Sequence, residues 1–421
     1  MQVFKFGGAS VKDADSVMNV LTILKEFAKE TTVVVVSAMG KTTNHLESLV
    51  HAYYNKTGTG KLLEEIKQFH LQVAGKLFTD KTNPVFNELE NVFVELSWTL
   101  EEEPSFSFNH HYDQVVAQGE ILSSKIVSAW LNESGLHNQW FDARDVIRTD
   151  NSYRDGKVDY EESARLVEGN LLPVLNRNQL VITQGFIGGT SENYTTTLGR
   201  EGSDYTAALL AYFTDAKKVI IWKDVPGVLN ADPKYFKNTK KIDELTYHDA
   251  IELTYFGASV IHPKTIKPLQ NKQIPLYVKS FIHPHDPGTV IREGDMRNTL
   301  TSYIFKTNQI LLSIQPKDFS FIAEENLSYI FSLFSKYNVR VNMMQNSAIS
   351  FSVCTDNEQY KIKPLLSELH EQFKVLYNEN VQLMTIRNYD QDTITRLSGN
   401  KVILLEQRSR HTHQMVMKDV L

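Results

Sequence analysis

Two kinds of apolar run alternate over the first two-thirds of the chain. In residues 12–29 (KDADSVMNVLTILKEFAK), Val17, Val20, Leu21 and Leu24 recur at helical spacing. TTVVVVSAM (31–39) is instead a continuous β-branched run, which suits a strand covered on both faces of a parallel sheet. A strand beginning at residue 2 and ending before Gly7–Gly8 completes a strand–turn–helix–strand unit. Residues 60–130 are mostly helical in spacing and include one helix over HYDQVVAQGEILSSKIVSAWL (111–131). Buried-strand runs return at LVITQGFIGG (180–189) and KKVIIWKDV (217–225), with a helix over DYTAALLAYF (204–213) between them and a short strand at PLYVKS (275–280). This alternation predicts an α/β domain over residues 1–292, with helices on both faces of a mainly parallel sheet. The prolines and glycine of FIHPHDPGTVI (281–291) break the pattern.

The rhythm then changes. ILLSIQP (310–316) reads as a strand, NLSYIFSLFSKY (326–337) as an amphipathic helix, and VRVNMMQ (339–345) with ISFSVCT (349–355) as a hairpin pair. YKIKPLLSELHEQF (360–373) is a second helix and VQLMTIRNY (381–389) a further strand. The order β-α-β-β-α-β is ferredoxin-like. A second domain is expected over 300–421, with one full copy at about 308–389 and a shortened copy at about 390–421 that contains KVILLEQ and HQMVMKD.

Composition narrows the function. The 421 residues carry 44 Lys and Arg against 50 Asp and Glu, a net charge of −6, which argues against a nucleic-acid partner. Cys354 is the single cysteine and follows the alternating run ISFSV, so it reads as a small core residue and no disulfide forms within the chain. No apolar run is long enough to span a bilayer and no signal-peptide pattern precedes the first strand, so no membrane partner and a cytoplasmic location are expected.

Chemistry concentrates in the loops that follow strands. In KFGGAS (5–10), the Gly7–Gly8 turn lets backbone N–H groups approach an anion, a helix start behind it adds a favourable dipole, and Lys5 lies beside the same anion as a point charge. A tight turn with a solvated lysine is the plain alternative. MGKTT (39–43) looks like the end of a P-loop, but Val35 stands where that motif needs its first glycine, so the P-loop reading is rejected. Thr42, Thr43 and Asn44 then read as polar groups or caps at a helix start. TTTLGREGSDYTAA (195–208) places Arg200, Ser203 and Asp204 in one polar loop between two buried strands, where open α/β sheets bind ligands; capping is the plain reading of Ser203 and Asp204. WKDVPGVLNADPK (222–234) is a second such loop and a candidate nucleotide wall. Glu120 alone reads as a solvated helix glutamate, His262 as structural, and His110, His111, His283 and His285 as loop histidines without the spacing of a zinc site.

KFGGAS, SAMGKTTN, QGFIGG, TTTLGREGSD, WKDVPGVLNADP and FGASVIHPKT occur in this order. Together they resemble the aspartate kinases of the amino-acid kinase family, over residues 1 to about 290. The C-terminal pattern resembles the ACT-type regulatory domains of those enzymes. The resemblance implies an αβα sandwich of amino-acid-kinase type followed by a ferredoxin-like ACT-type region. The implied activity is phosphoryl transfer from ATP, with Mg2+ carried by the nucleotide, to the side-chain carboxylate of L-aspartate. The product, 4-phospho-L-aspartate, enters lysine, threonine and methionine synthesis.

The resemblance also implies roles. Lys5 and Asp204 are catalytic, and Lys5, Gly7, Gly8 and Ser10 cradle the phosphates. Arg200 takes the substrate's α-carboxylate and Glu120 its α-ammonium, while Ser37, Thr43 and Ser203 add hydrogen bonds. Lys223, Asp224, Leu229, Lys234 and Ser259 line the nucleotide. No protein metal ligand is implied. A homodimer through the ACT-type region and an amino-acid effector are implied partners, with VRVNMMQNS (339–347) similar to an effector-binding segment in which Asn342 replaces an aspartate.

Three positions depart from the family pattern. Glu201 stands where relatives carry glycine, which strains the chain if that position needs a positive φ. Ser259 replaces a phosphate-touching lysine, leaving Lys264 or Lys223 to compensate, and Ala9 replaces threonine. Two rival readings remain at this level: a kinase of glutamate or acetylglutamate, and a catalytically silent amino-acid sensor of the same fold.

Overall fold

The computed structural model describes residues 1–258, 261–294, 300–318 and 320–419. They group into two compact units. The first comprises Met1–Val228, Lys241–Ile251 and Val260–Arg297, and the second Leu229–Lys240, Glu252–Ser259 and Asn298–Leu421.

Among the described residues, the first unit is built on an eight-stranded sheet. Its strands are β1 (Gln2–Phe6), β2 (Thr32–Val36), β3 (Gln139–Phe141), β4 (Leu180–Gln184), β7 (Val219–Lys223), β8 (Glu244–Thr246), β9 (Leu276–Ser280) and β10 (Thr289–Arg292). A separate antiparallel ribbon joins β5 (Ile187–Gly189) and β6 (Thr195–Thr197). The spatial order is β3-β4-β2-β1-β7-β9-β10-β8, and every neighbouring pair is parallel except β9 with β10. Every residue of β1, β2 and β4 is buried, as strands covered on both faces require. Trp222 on β7 is fully buried, stacked on Phe6 at 6.1 Å and edge-on to Phe4 at 5.9 Å.

The structure departs from the expected elements where short-range geometry wins. The run 180–189 is two strands, because Phe186 adopts φ 70 and turns the chain out of β4 into β5. The run 111–131 is two consecutive helices, Phe108–Val116 and Gln118–Glu133, meeting at Ala117. His110 and His111 are therefore buried helical residues, not loop histidines. Strands β3, β8 and β10 are too short to register as periodic runs.

The second unit carries an antiparallel sheet of six strands among the described residues. These are β11 (Ser302–Pro316), β12 (Val341–Asn346), β13 (Phe351–Asp356), β14 (Phe373–Arg387), β15 (Lys401–Arg408) and β16 (Thr412–Asp419), in the order β12-β13-β11-β14-β16-β15. With helices Glu324–Lys336 and Gln359–Gln372, the chain order is β-α-β-β-α-β. Strands β11 and β14 are each 15 residues long and pair along their length, with register shifts between Lys306 and Leu311. Residues Gln309–Ile314 of β11 pair with β13, and Gln382–Arg387 of β14 pair with β16. The strand expected at 381–389 is thus the second half of one that starts at Phe373, directly after the helix. Its first half is hard to read because exposed Lys374 and Leu376 alternate with buried Phe373 and Val375 before a polar stretch. Cys354 is buried on β13 and burial pushes its thiol up to about 12, as befits a core residue.

Truncating Phe4 to Ala leaves a void beside Trp222 in a fully covered sheet. Phe4→Ala should destabilise the first unit by about 3–5 kcal/mol, whereas half-exposed Met18→Ala should stay within about 0.5 kcal/mol. Urea denaturation followed by circular dichroism checks both.

Candidate active site

Lys5 sits near the C-terminal end of β1, paired in register with Val35 of β2 and Ile221 of β7. Its ammonium lies 2.6 Å from Asp204 Oδ1, and Lys223 Nζ at the end of β7 lies 3.4 Å from Asp204 Oδ2. Asp204 occupies the first turn of helix Gly202–Phe213 and is buried. Burial pushes its carboxyl up, but the Lys5 and Lys223 ammonium groups outweigh this and hold it below the usual carboxylate range.

The residue before this helix is Glu201, in the left-handed region at φ 55, and it caps nothing with its side chain. The strain expected at this position is present and costs about 1–3 kcal/mol. In return, the Glu201 carboxylate accepts the His262 N–H at 2.9 Å, and His262 Nδ1 accepts the Lys264 N–H at 3.2 Å. Ser203 and Asp204 lie inside the helix rather than at its cap, so capping does not explain them.

These groups border a cavity of about 510 Å³ within the first unit, at the C-terminal ends of β1, β2, β4 and β7. Lys5, Gly8, Ser37, Thr43, Glu120, Arg200, Ser203, Asp204 and Lys223 all line it. Gly8 is there by necessity: a Cβ would lie 2.8 Å from the Ala38 carbonyl oxygen. Thr43 is in the first turn of helix Thr42–Tyr54, whose N-cap Lys41 makes no side-chain cap bond.

Glu120 is the most unusual group. It is 3 % exposed, not solvated as a lone helix glutamate would be. Its Oε1 accepts the Ala38 N–H at 3.3 Å, while Oε2 has no hydrogen-bond partner among the described residues. Burial pushes its carboxyl up to about 8 against the opposing hydrogen bonds and the Lys5 charge. Arg200 is exposed at the cavity and makes no hydrogen bond or ion pair among the described residues.

The structure corrects the helix start expected behind the glycine pair and places the other expected residues as follows. The helix behind the glycine pair, Ala14–Phe27, is separated from it by a 3₁₀ turn and capped by the Asp13 carboxylate, which accepts the Ser16 N–H at 2.8 Å. The helix starts that face the cavity include those of Gly202–Phe213 and Thr42–Tyr54. Ser10 is buried, does not border the cavity, and directs its hydroxyl to the Trp222 carbonyl at 3.4 Å. Gly7 adjoins the cavity lining without forming it. Asp224 is exposed in the turn after β7, and Leu229 and Lys234 belong to the second unit. Ser259 lies outside the described residues. Lys264, one of its proposed substitutes, pairs with Asp155; the other, Lys223, pairs with Asp204.

Sequence reasoning missed Tyr112, Arg154 and Phe186, which also line the cavity, and Asp113 behind them. Asp113 is fully buried and gathers three donors: the Arg154 N–H at 2.9 Å, the Thr197 N–H at 2.8 Å and the Thr197 hydroxyl at 2.7 Å. Burial pushes its carboxyl up to about 6. The available signal was a carboxylate set between Tyr112 and Val115–Val116 on a helix that buries most of its residues.

A mainly parallel α/β sheet with two lysines, helix starts and an exposed guanidinium around one cavity defines a protein built to hold a small anionic ligand at its strand ends. The sequence profile of the amino acid kinase family matches residues 1–280, and the chain belongs to that family. It is 32% identical over 400 residues to the lysine-sensitive aspartokinase 3 of Escherichia coli (strain K12), covering 92% of this chain and 87% of that protein. The crystal structure of E. coli aspartokinase III in complex with aspartate and ADP superposes with a TM-score of 0.84 at 29% identity, covering 99% of this chain and 96% of that one. The same enzyme in complex with lysine and aspartate superposes with a TM-score of 0.82, again at 29% identity, covering 99% and 95%.

The raised Glu120 carboxyl has a stability consequence. Between its unfolded value near 4.5 and about 8, the folded state holds a proton that the unfolded state releases, so the group's contribution worsens as pH rises through that window. Glu120→Gln should therefore raise the denaturation midpoint of the ligand-free protein at pH 8, and the gain should shrink toward zero near pH 4.5. A pH series of thermal melts on both proteins checks it.

Proposed function

We propose that this chain transfers the γ-phosphoryl group of ATP to the side-chain carboxylate of L-aspartate, giving 4-phospho-L-aspartate and ADP at the head of lysine, threonine and methionine synthesis. The observation that carries this reading is the pairing of two unsatisfied groups on one cavity. Among the described residues, Glu120 offers a buried carboxyl oxygen with no hydrogen-bond partner, and Arg200 a guanidinium with no hydrogen bond or ion pair. An α-amino acid supplies the ammonium and the carboxylate that these two lack.

The chemistry then asks little of the protein beyond placement. A side-chain carboxylate is ionised at pH 7, so the nucleophile needs no general base. Lys5, Lys223 and the N–H groups opening helix Gly202–Phe213 neutralise charge on the transferring phosphoryl group. Asp204 holds the two ammonium groups in place from a buried position. Ser37, Thr43 and Ser203 supply hydrogen bonds at the cavity wall. Mg2+ carried by the nucleotide would share the neutralisation of its phosphates. The silent-sensor alternative, which rests on Ser259 and Glu201, loses support because Glu201 holds the His262 N–H while Lys5 and Asp204 are both intact.

On the same reading, the second unit is a regulatory module that pairs two chains and takes an amino-acid effector. Supporting this, the edge strands β12 and β15 expose Met344 and Val402–Ile403. Asn342 accepts a hydrogen bond from Lys306 Nζ at 2.9 Å and donates to Gln309 at 2.8 Å and Asp356 at 3.2 Å, so this effector-type position is already engaged by the chain itself.

Hydroxylamine trapping of the acyl phosphate tests the activity. L-Aspartate with MgATP should give hydroxamate, whereas D-aspartate, L-glutamate and N-acetyl-L-glutamate should give little; a preference for either glutamate substrate would overturn the assignment. Lys5→Ala should lower kcat by about 10²–10³ with little change in aspartate KM. Arg200→Ala should raise aspartate KM by about tenfold or more and leave ATP KM nearly unchanged. Steady-state kinetics in both substrates separates these outcomes.

A further inference from the structure

Arg154 borders the cavity on a segment that the reaction as described leaves unused. Its backbone is in the left-handed region at φ 70, where an arginine is strained. Asp113 holds it there by accepting the Arg154 N–H on Oδ2, the same oxygen that accepts the Thr197 N–H. Thr197 leads into the loop that carries Arg200. The two arginines thus stand on two segments bolted to one buried carboxylate.

The segments also interlock further along. Gly199 has φ +75, and a Cβ there would lie 2.7 Å from Asp155 Oδ1, while Asp155 pairs with Lys264. Such an arrangement fixes the backbone beneath both guanidinium groups.

The Arg154 side chain is placed but weakly committed. Its guanidinium lies 4.2 Å from the centroid of the Tyr112 ring, which orients its plane. Its ion-pair partner is Glu47, at 3.6 Å, and both side chains are about two-fifths exposed, at 43% and 40%. An exposed pair with one long contact contributes little and is readily exchanged for another carboxylate. A bidentate contact to a ligand carboxylate in the cavity is stronger and geometrically specific.

We propose that Arg154 is a second carboxylate-binding arm for the amino-acid substrate, leaving Glu47 to join Arg200 on the α-carboxylate. The inference rests on the reading of this cavity as the aspartate site. Glu120 answers the ammonium, and the side-chain carboxylate belongs beside Lys5 and Lys223, where the phosphoryl group moves. The α-carboxylate is what remains for Arg154, which shares its support with the Arg200 loop.

The test is steady-state kinetics of wild type, Arg154→Ala, Arg154→Lys and Glu47→Gln, with thermal melts to verify folding. Arg154→Ala should raise aspartate KM about tenfold, with kcat within about threefold and ATP KM within about twofold. Arg154→Lys should recover only part of the loss, since a point charge cannot replace the planar fork. Glu47→Gln, which frees the guanidinium, should lower aspartate KM in the wild-type background and do nothing when combined with Arg154→Ala. Inhibition by β-alanine, which lacks the α-carboxylate, should be equal in wild type and Arg154→Ala. An unchanged aspartate KM in Arg154→Ala, or an equal rise in ATP KM, overturns the proposal while leaving an active aspartate kinase. A wild type that makes no aspartyl hydroxamate overturns the proposal and the activity together.

Discussion

The ion pair between Lys5 and Asp204 organises the rest of the site. It joins the central strand β1 to the first turn of helix Gly202–Phe213, with both partners nearly removed from water. A buried pair of this kind contributes little to stability, since desolvation offsets most of the attraction. Its value is positional. With Lys223 on the second oxygen, the three groups sum to one positive charge (+2 − 1), held at the strand ends where an anion can reach it. Burial keeps the Glu120 carboxyl high despite the Ala38 N–H and the Lys5 charge, and its Oε2 has no hydrogen-bond partner among the described residues. The free protein therefore presents excess positive charge toward phosphate, and a buried acid that ionises favourably only when a cation arrives.

Backbone strain is distributed in the same way. Arg154, Phe186 and Glu201 are non-glycine residues with positive φ, and all three line the cavity. Each is held by an identifiable contact: Asp113 takes the Arg154 N–H, the Thr206 hydroxyl takes the Phe186 N–H at 2.9 Å, and the Glu201 side chain takes the His262 N–H. Strain that recurs around one cavity and is compensated residue by residue is what a preorganised binding site requires.

How much of this could be read from the chain differs by feature. The β-branched run at 31–39 and the run at 217–225 announced buried parallel strands because their centres, Thr32–Val36 and residues 219–222, are buried at every position, and Lys5, Arg200, Ser203 and Asp204 were legible because they interrupt such strands or follow them. Glu120 was not readable as buried, since a carboxylate on a helix looks the same in sequence whether water or a cavity faces it, and Asp113 left only the signal of its apolar neighbours Tyr112, Val115 and Val116. Arg154 was hidden for a different reason: what brings it to the cavity is a long-range bond to Asp113, 41 residues away. The dipole expected behind the glycine pair was misassigned because Asp13, as N-cap, closes the start of helix Ala14–Phe27 locally. In the second unit, the 15-residue length of β11 and β14 depends on pairing with each other rather than on local pattern.

The central claim is that Glu120 is a protonated acid awaiting the substrate's ammonium group. Calorimetric titration of L-aspartate into the protein, in pairs of buffers with different ionisation enthalpies from pH 6 to pH 9, measures this directly. The account predicts release of close to one proton per aspartate bound near pH 6.5–7, falling toward zero as the pH passes about 8, and no release in Glu120→Gln. Binding without proton release across that range, or release that persists unchanged in Glu120→Gln, would contradict it.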